Sequence, residues 1–185
     1  MEKTKVFLVR HGQTVDNVNQ ILQGQTHGML TEEGRRQARN VSIQMKDEHI
    51  DAFISSDLRR ARETCEIIAE PHGKPVQTTP MLRERDWGDF TGRKISEMKN
   101  ETWPENVETL EQIKHRVRQF ISLLQDEYAG KTVLVVGHGI INGTIFLKYI
   151  YYADDIWMVE PCQIASLLEE LLPVLLYLFR TFCSK

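Results

Sequence analysis

Two short apolar runs end in the same way, and that repetition constrains the fold more than any other feature. Val6–Val9 (VFLV) stops at Arg10-His11-Gly12, and Thr132–Val136 (TVLVV) stops at Gly137-His138-Gly139. A β-branched run of this length, cut off by polar residues and glycine, reads as a strand buried on both faces, as in parallel sheets. In open α/β sheets ligands gather just beyond the carboxyl ends of such strands. A cation, imidazoles, and glycines that let backbone approach closely therefore stand where a ligand is expected.

Helical and extended patterns alternate around these two runs. A polar loop, Gln13–Met29, follows the first. Thr31 then reads as an N-cap with Glu32 and Glu33 in the first turn, opening a helix to about Lys46. DAFISS (Asp51–Ser56) is a second strand, after which Ser56 or Asp57 should cap a helix carrying Leu58, Ala61, Cys65 and Ile68. Pro71-His72-Gly73 ends that helix, and KPVQTT is a third strand, at a sheet edge because it opens with Pro75. Residues 80–92 read as irregular chain.

A helix from about Asn106 to Tyr128 shows an apolar stripe of Val107, Leu110, Ile113, Val117, Phe120, Ile121 and Leu124, and Gly130 stops it. Another helix should begin just after His138, and a further strand is expected at Gln163–Leu168. The alternation predicts a three-layer α/β/α sandwich around a mostly parallel sheet. With 185 residues and no repeat, linker or low-complexity stretch, residues 1–185 read as a single domain.

Composition excludes several functions. A net charge of −3 gives no basic excess for nucleic acid, so any anion site must be a local basic pocket. Cys65, Cys162 and Cys183 are widely spaced without a CxxC, which indicates neither a disulfide framework nor a zinc ribbon. MEKTKVFLV runs straight into the first strand, leaving no room for a signal peptide, so the cytoplasm is the expected compartment. The tail, LLPVLLYLFRTF, is too short to span a bilayer and is interrupted by Arg180. It reads as a core strand or a docked helix, and a homodimer stays open because a partner copy is the other place to bury it.

The residue types at the strand ends suit phosphoryl chemistry, which is mostly positioning and electrostatic stabilisation. Arginine gives bidentate, permanently charged contacts. Arg10 ends the first strand, while Arg59, Arg60 and Arg62 open the helix after the second, and sequence alone does not choose among those three. His11 is a candidate nucleophile whose pKa nearby cations should lower, the other ring nitrogen being fixed by a backbone carbonyl. A carboxyl group must protonate the leaving oxygen and later take a proton from water. Glu84 and Asp86 are both candidates, and Trp87 and Phe90 could desolvate either. No HExxH or His/carboxylate spacing accompanies the histidines, so no metal is expected.

In order along the chain, LVRHGQT, LTEEG (Leu30–Gly34), SSDLRRARET (Ser55–Thr64), LRERDWGDFTG (Leu82–Gly92) and VLVVGHG (Val133–Gly139) resemble the histidine phosphatase superfamily, in its phosphoglycerate-mutase-like phosphatase branch. The likeness covers about the first three-quarters of the chain, and the part from about residue 153 departs from it. It implies that His11 is transiently phosphorylated and that water then hydrolyses the phosphohistidine. It also selects Arg60 among the arginines and Glu84 over Asp86. His138 becomes a cationic phosphate donor, and Asn17, Gln23 and Gly24 become loop contacts to phosphate or the rest of the substrate. Neither cofactor nor metal is implied.

Three departures accompany the likeness: His27 and Met29 stand where aspartate and proline are usual, and Thr91 replaces a glutamate. Residues 93–107 form a cover of only 15 residues, where true mutases carry a longer insertion. A short cover admits water and favours hydrolysis. The expected function is therefore a metal-independent, histidine acid phosphatase-like phosphomonoesterase acting on a small phosphorylated metabolite. The alternatives are a phosphoglycerate mutase-type transferase and a catalytically silent phospho-ligand binding protein. A dinucleotide fingerprint at Gly137, Gly139 and Gly143 fails on spacing, with one residue too many before the last glycine.

Overall fold

The computed structural model describes residues 3–150 and 156–158. In chain order its elements are β1 (Lys5–Arg10), α1 (Val15–Val18), α2 (Glu32–Met45), β2 (Ala52–Ser56) and α3 (Arg59–Ala69). They continue with β3 (Val76–Thr79), α4 (Leu110–Glu127), β4 (Thr132–Gly137), α5 (Gly139–Ile150) and β5 (Ile156–Met158). The strands form one sheet in the order β3-β2-β4-β1-β5, every described pair being parallel.

Alternation within the central strands sorts their side chains to two faces. Val6 and Leu8 of β1, with Val133 and Val135 of β4, pack against Ile113, Val117, Phe120 and Leu124 of α4 and Ile141 and Ile145 of α5. Phe7 and Val9, with Leu134 and Val136, pack against Val41 and Met45 of α2 and Ala61, Cys65 and Ile68 of α3. Helices on both faces explain why these strands read as unbroken apolar runs rather than alternating ones. The three-layer sandwich is the one the sequence predicts.

The crossovers locate the crevice. From β1 the chain steps outward through α2 and α3 to β3, then returns through α4 to insert β4 between β2 and β1. The helices that follow β1 and β4 therefore depart to opposite faces, opening a gap above two adjacent strand ends. Pairing of Arg10 with Gly137 sets His11 beside His138, and the His11 N–H extends the ladder by donating to the Gly137 carbonyl at 3.1 Å.

Several local expectations shift. Thr31 caps α2 as expected, accepting from the Gly34 N–H at 3.0 Å, and β3 lies at the sheet edge. At α3, however, the N-cap is Leu58 without a side-chain cap. Ser56 Oγ accepts from the Leu58 N–H, and Asp57 is drawn off by Arg83, with contacts of 2.8 and 2.5 Å. The helix expected from Asn106 starts at Leu110, because Thr109 and Gln112 form a reciprocal capping box. Val107 is still buried, from the preceding loop.

The polar loop holds one short helix, α1, capped by Thr14 and Asn17. β5, a three-residue strand, is an addition to the expected set. The strand expected at Gln163–Leu168, the apolar tail, Cys162 and Cys183 lie outside the described residues. Among the described residues no helix is long and apolar enough to cross a membrane.

Candidate active site

His11 leaves the end of β1 and is 8% exposed. Its Nδ1 lies 2.8 Å from the Gly12 carbonyl oxygen. A carbonyl only accepts, so Nδ1 carries the proton and Nε2 keeps the lone pair. Close backbone packing makes this geometry possible. A Cβ on Gly12 would stand 2.4 Å from the Gly34 carbonyl oxygen, so glycine is required where α2 meets the histidine loop. The Gly12 N–H donates to Thr64 Oγ1 at 3.1 Å, and Thr64 in turn donates to the Arg60 carbonyl at 2.7 Å.

Arg60 is 1% exposed, a burial that a guanidinium tolerates only when its donors are matched. Nε donates to His11 Nε2 at 3.2 Å, and Nη2 donates to the Gly24 carbonyl at 2.9 Å. Nη1 donates to the carbonyls of Thr26 and His27. Burial pushes this guanidinium down to about 10, with Glu84 and Asp16 opposing, so it stays cationic near neutrality. Its neighbours differ. Arg59 and Arg62 have side chains 61% and 59% exposed and pair along the helix with Glu63 and Glu66.

His138 is fully buried with its ring centroid 5.0 Å from that of His11. Neither ring nitrogen has a hydrogen-bond partner among the described residues. Arg10 Cζ and Glu84 Oε2 both approach Gly139, 3.7 and 3.8 Å from where its Cβ would stand. Glu84 Oε1 accepts from the Arg85 N–H at 2.9 Å, and Oε2 faces the Ile140 N–H at 3.3 Å, in the first turn of α5. Asp86 turns outward, exposed, its carboxylate accepting from the Gly88 N–H at 2.9 Å.

Both histidines have pKa values well below the ordinary range. For His11 burial is the largest cause, followed by Arg60 and Arg10, while the Gly12 carbonyl opposes the shift. For His138 burial again leads, followed by His11, Arg60, Arg10 and Arg116. Burial and the surrounding cations thus oppose the charged form of His138 that the resemblance implies.

The loop residues are less uniform. Asn17 is exposed, and its Oδ1 accepts from the N–H and hydroxyl of Thr14 at 3.1 and 2.9 Å, so it shapes the loop. Gly24 offers Arg60 a carbonyl. Gln23 is buried with Oε1 unpartnered, held beside Arg60 because Gly28 has no side chain to displace it. Met29 is 56% exposed, and His27 Nδ1 accepts from the Arg59 N–H at 3.4 Å.

Sequence reasoning missed the residues that hold these groups. Thr64 ties α3 to the histidine loop, and Gln25 donates to the Glu84 carbonyl at 3.2 Å. Trp87, expected to desolvate a carboxyl, instead stacks on Arg85, whose Cζ lies 4.7 and 4.8 Å from the rings of Trp87 and Trp103. Only a Thr one turn after an arginine hinted at the first. Among the described residues no group of three or more His, Cys, Asp or Glu could hold a metal ion.

Comparison with known proteins agrees with this geometry. Residues 6–167 match the Histidine phosphatase superfamily (branch 1). "Uncharacterized phosphatase PhoE" of Bacillus subtilis is 38% identical over 140 residues, covering 74% of this chain and 72% of that protein. "Probable phosphoglycerate mutase GpmB" of Yersinia enterocolitica is 34% identical over 155 residues, covering 76% and 72%. Among solved structures, Bacillus stearothermophilus YhfR superposes with a TM-score of 0.76 at 28% identity, over 83% of each chain. The chain belongs to the histidine phosphatase superfamily, and its chemistry is hydrolysis or transfer of a phosphoryl group.

Proposed function

We propose that this protein is a metal-independent, histidine acid phosphatase-like phosphomonoesterase that works through phospho-His11 on a small phosphorylated metabolite. The observation that carries the reading is the pairing of a protonated Nδ1, bonded to the Gly12 carbonyl, with an unprotonated Nε2 among Arg60, Arg10 and His138. Such an imidazole is a nucleophile aimed into a cationic, desolvated hollow.

In the first step the Nε2 lone pair attacks phosphorus, the P–N bond forms, and the ester P–O bond breaks. Glu84 gives its proton to the departing alkoxide. In the second step Glu84 takes a proton from water, whose oxygen attacks phosphorus and breaks the P–N bond. Arg10, Arg60 and His138 surround the phosphoryl oxygens. A dianion beside His138 offsets the cations that depress its pKa, so the ring takes up a proton with the substrate.

Hydrolysis is favoured over transfer by the short cover. Residues 93–107 span only 15 positions, held by a bridge between Ile21 and Lys94, the ion pair of Arg93 with Glu101, the packing of Trp103 on Arg85 and Trp87 and the pairing of Asn106 with Asp89, and Trp103 is still 56% exposed. Such a cover leaves water a path to a phosphohistidine.

An aryl phosphate assayed with excess chelator tests the reading. Wild-type protein should turn over fully, and His11→Ala should lose activity on the order of 10⁴–10⁶-fold. Complete loss with chelator, or full activity in His11→Ala, rejects it. Glu84→Gln should lose about 10²–10⁴-fold on an alkyl ester and much less on an aryl ester, whose leaving group needs little protonation. A mutase would instead interconvert phosphoglycerates faster than it releases phosphate.

A further inference from the structure

Glu84 sits on irregular chain, where neither sheet nor helix fixes the backbone. One ion pair, between Arg116 of α4 and Glu108 just before that helix, takes over that task. Arg116 Nη1 donates to the carbonyls of Met81 and Arg83, both at 2.9 Å. Its Nε and Nη2 grip the Glu108 carboxylate at 2.7 and 2.8 Å.

Glu108 then clasps the other side of Glu84. Its Oε2 accepts from the Asp86 N–H at 3.1 Å, and its own N–H donates to the Asp86 carbonyl at 2.8 Å. Its carbonyl also accepts from Arg85 Nε at 2.8 Å. The backbone is thus tied before and after Glu84 to a single pair whose side chains are 18% and 11% exposed. A bidentate, largely buried fork of this kind fixes geometry as well as adding energy. Neither side chain makes a hydrogen bond to His11, His138, Arg10 or Arg60, so the pair bears on the phosphate-facing groups through the Arg116 charge felt at His138 and not through contact.

We propose that Arg116, through Glu108, is the positioning residue that holds the Glu84 carboxyl at proton-transfer reach of the leaving oxygen. The inference rests on the reading of Glu84 as proton donor. General acids act only within hydrogen-bond reach, and a displacement of about 1 Å costs on the order of 10²-fold. Removing the fork should therefore weaken protonation of the leaving group while sparing attack by His11.

The test compares β-glycerol phosphate, a poor leaving group, with para-nitrophenyl phosphate, a good one. Arg116→Met should lower kcat about 10²-fold on the alkyl ester and far less on the aryl ester, with KM little changed on both. Added to Glu84→Gln, it should cost nothing further on the alkyl ester. Glu108→Gln, which keeps an acceptor for the Asp86 N–H, should give a smaller loss with the same ester dependence, and serves if Arg116→Met does not fold. Equal losses on both esters, or additive losses in the double variant, overturn the inference. If Glu84→Gln itself shows no ester dependence, the role of Glu84 falls and this inference falls with it.

Discussion

Arg60 Nε donates to His11 Nε2 at 3.2 Å while the guanidinium's other nitrogens are held by the carbonyls of Gly24, Thr26 and His27. One side chain therefore couples the shape of the loop after β1 to the orientation of the imidazole. Because the bond uses the Nε2 lone pair, it also holds His11 in the tautomer that attack on phosphorus requires.

Arg60→Lys tests that coupling. Lysine keeps the charge but has a point ammonium in place of a planar fork, so loop carbonyls lose their partners. A fall in kcat/KM of about 10²–10³-fold is expected, the usual weight of a preorganised donor. Steady-state kinetics on an aryl phosphate measure it, and near-wild-type activity would mean that charge alone matters.

Arg62→Ala should behave otherwise. Its side chain is 59% exposed and its partner Glu66 lies 3.0 Å away on the helix surface. Stability by urea titration should change by no more than about 0.5 kcal/mol, and kcat/KM should stay at the wild-type value.

The two site histidines make stability depend on pH. Both folded-state pKa values lie well below the ordinary value near 6.5, so the unfolded chain binds more protons once the pH drops below that value. The stabilisation is complete above about pH 6.5 and is lost progressively as pH falls toward the depressed values. Denaturation curves at a series of pH values should show this slope, and His138→Asn should flatten it. An unchanged slope would mean that His138 is not held neutral.

Gly12→Ala should destabilise the fold, because its Cβ would fall 2.4 Å from a backbone oxygen of Gly34 that no rotamer change can move. The expected loss is about 1–3 kcal/mol by chemical denaturation, the range for overpacking. Activity should fall as well, since the Gly12 carbonyl orients His11.

Much of the fold was legible because buried parallel strands leave a plain signature. VFLV and TVLVV are apolar on both faces, and the glycines and histidines that end them mark the crevice. Arg60, His11, Glu84 and His138 were nameable through the sequence likeness, yet their convergence depends on the inserted position of β4, which no local pattern encodes. The start of α3 was misjudged because Asp57 is a good cap in isolation, and only the long-range pull of Arg83 removes it. The opposition to a charged His138 was not legible because it arises from complete burial and four cationic or titratable neighbours brought in by the fold. Arg116 and Glu108 belong to no motif of the sequence; their pairing with the chain around Glu84 appears only when that chain is folded against α4.

The most direct measurement is to trap the phosphoryl group. Glu84→Gln mixed with para-nitrophenyl phosphate should release one nitrophenolate per protein molecule in a burst and then stall, because attack by His11 needs no leaving-group proton whereas the attacking water must lose one. Quenching in alkali, digestion and mass spectrometry should place the phosphoryl group on His11. No burst, or phosphate bound to any other side chain, would contradict the account.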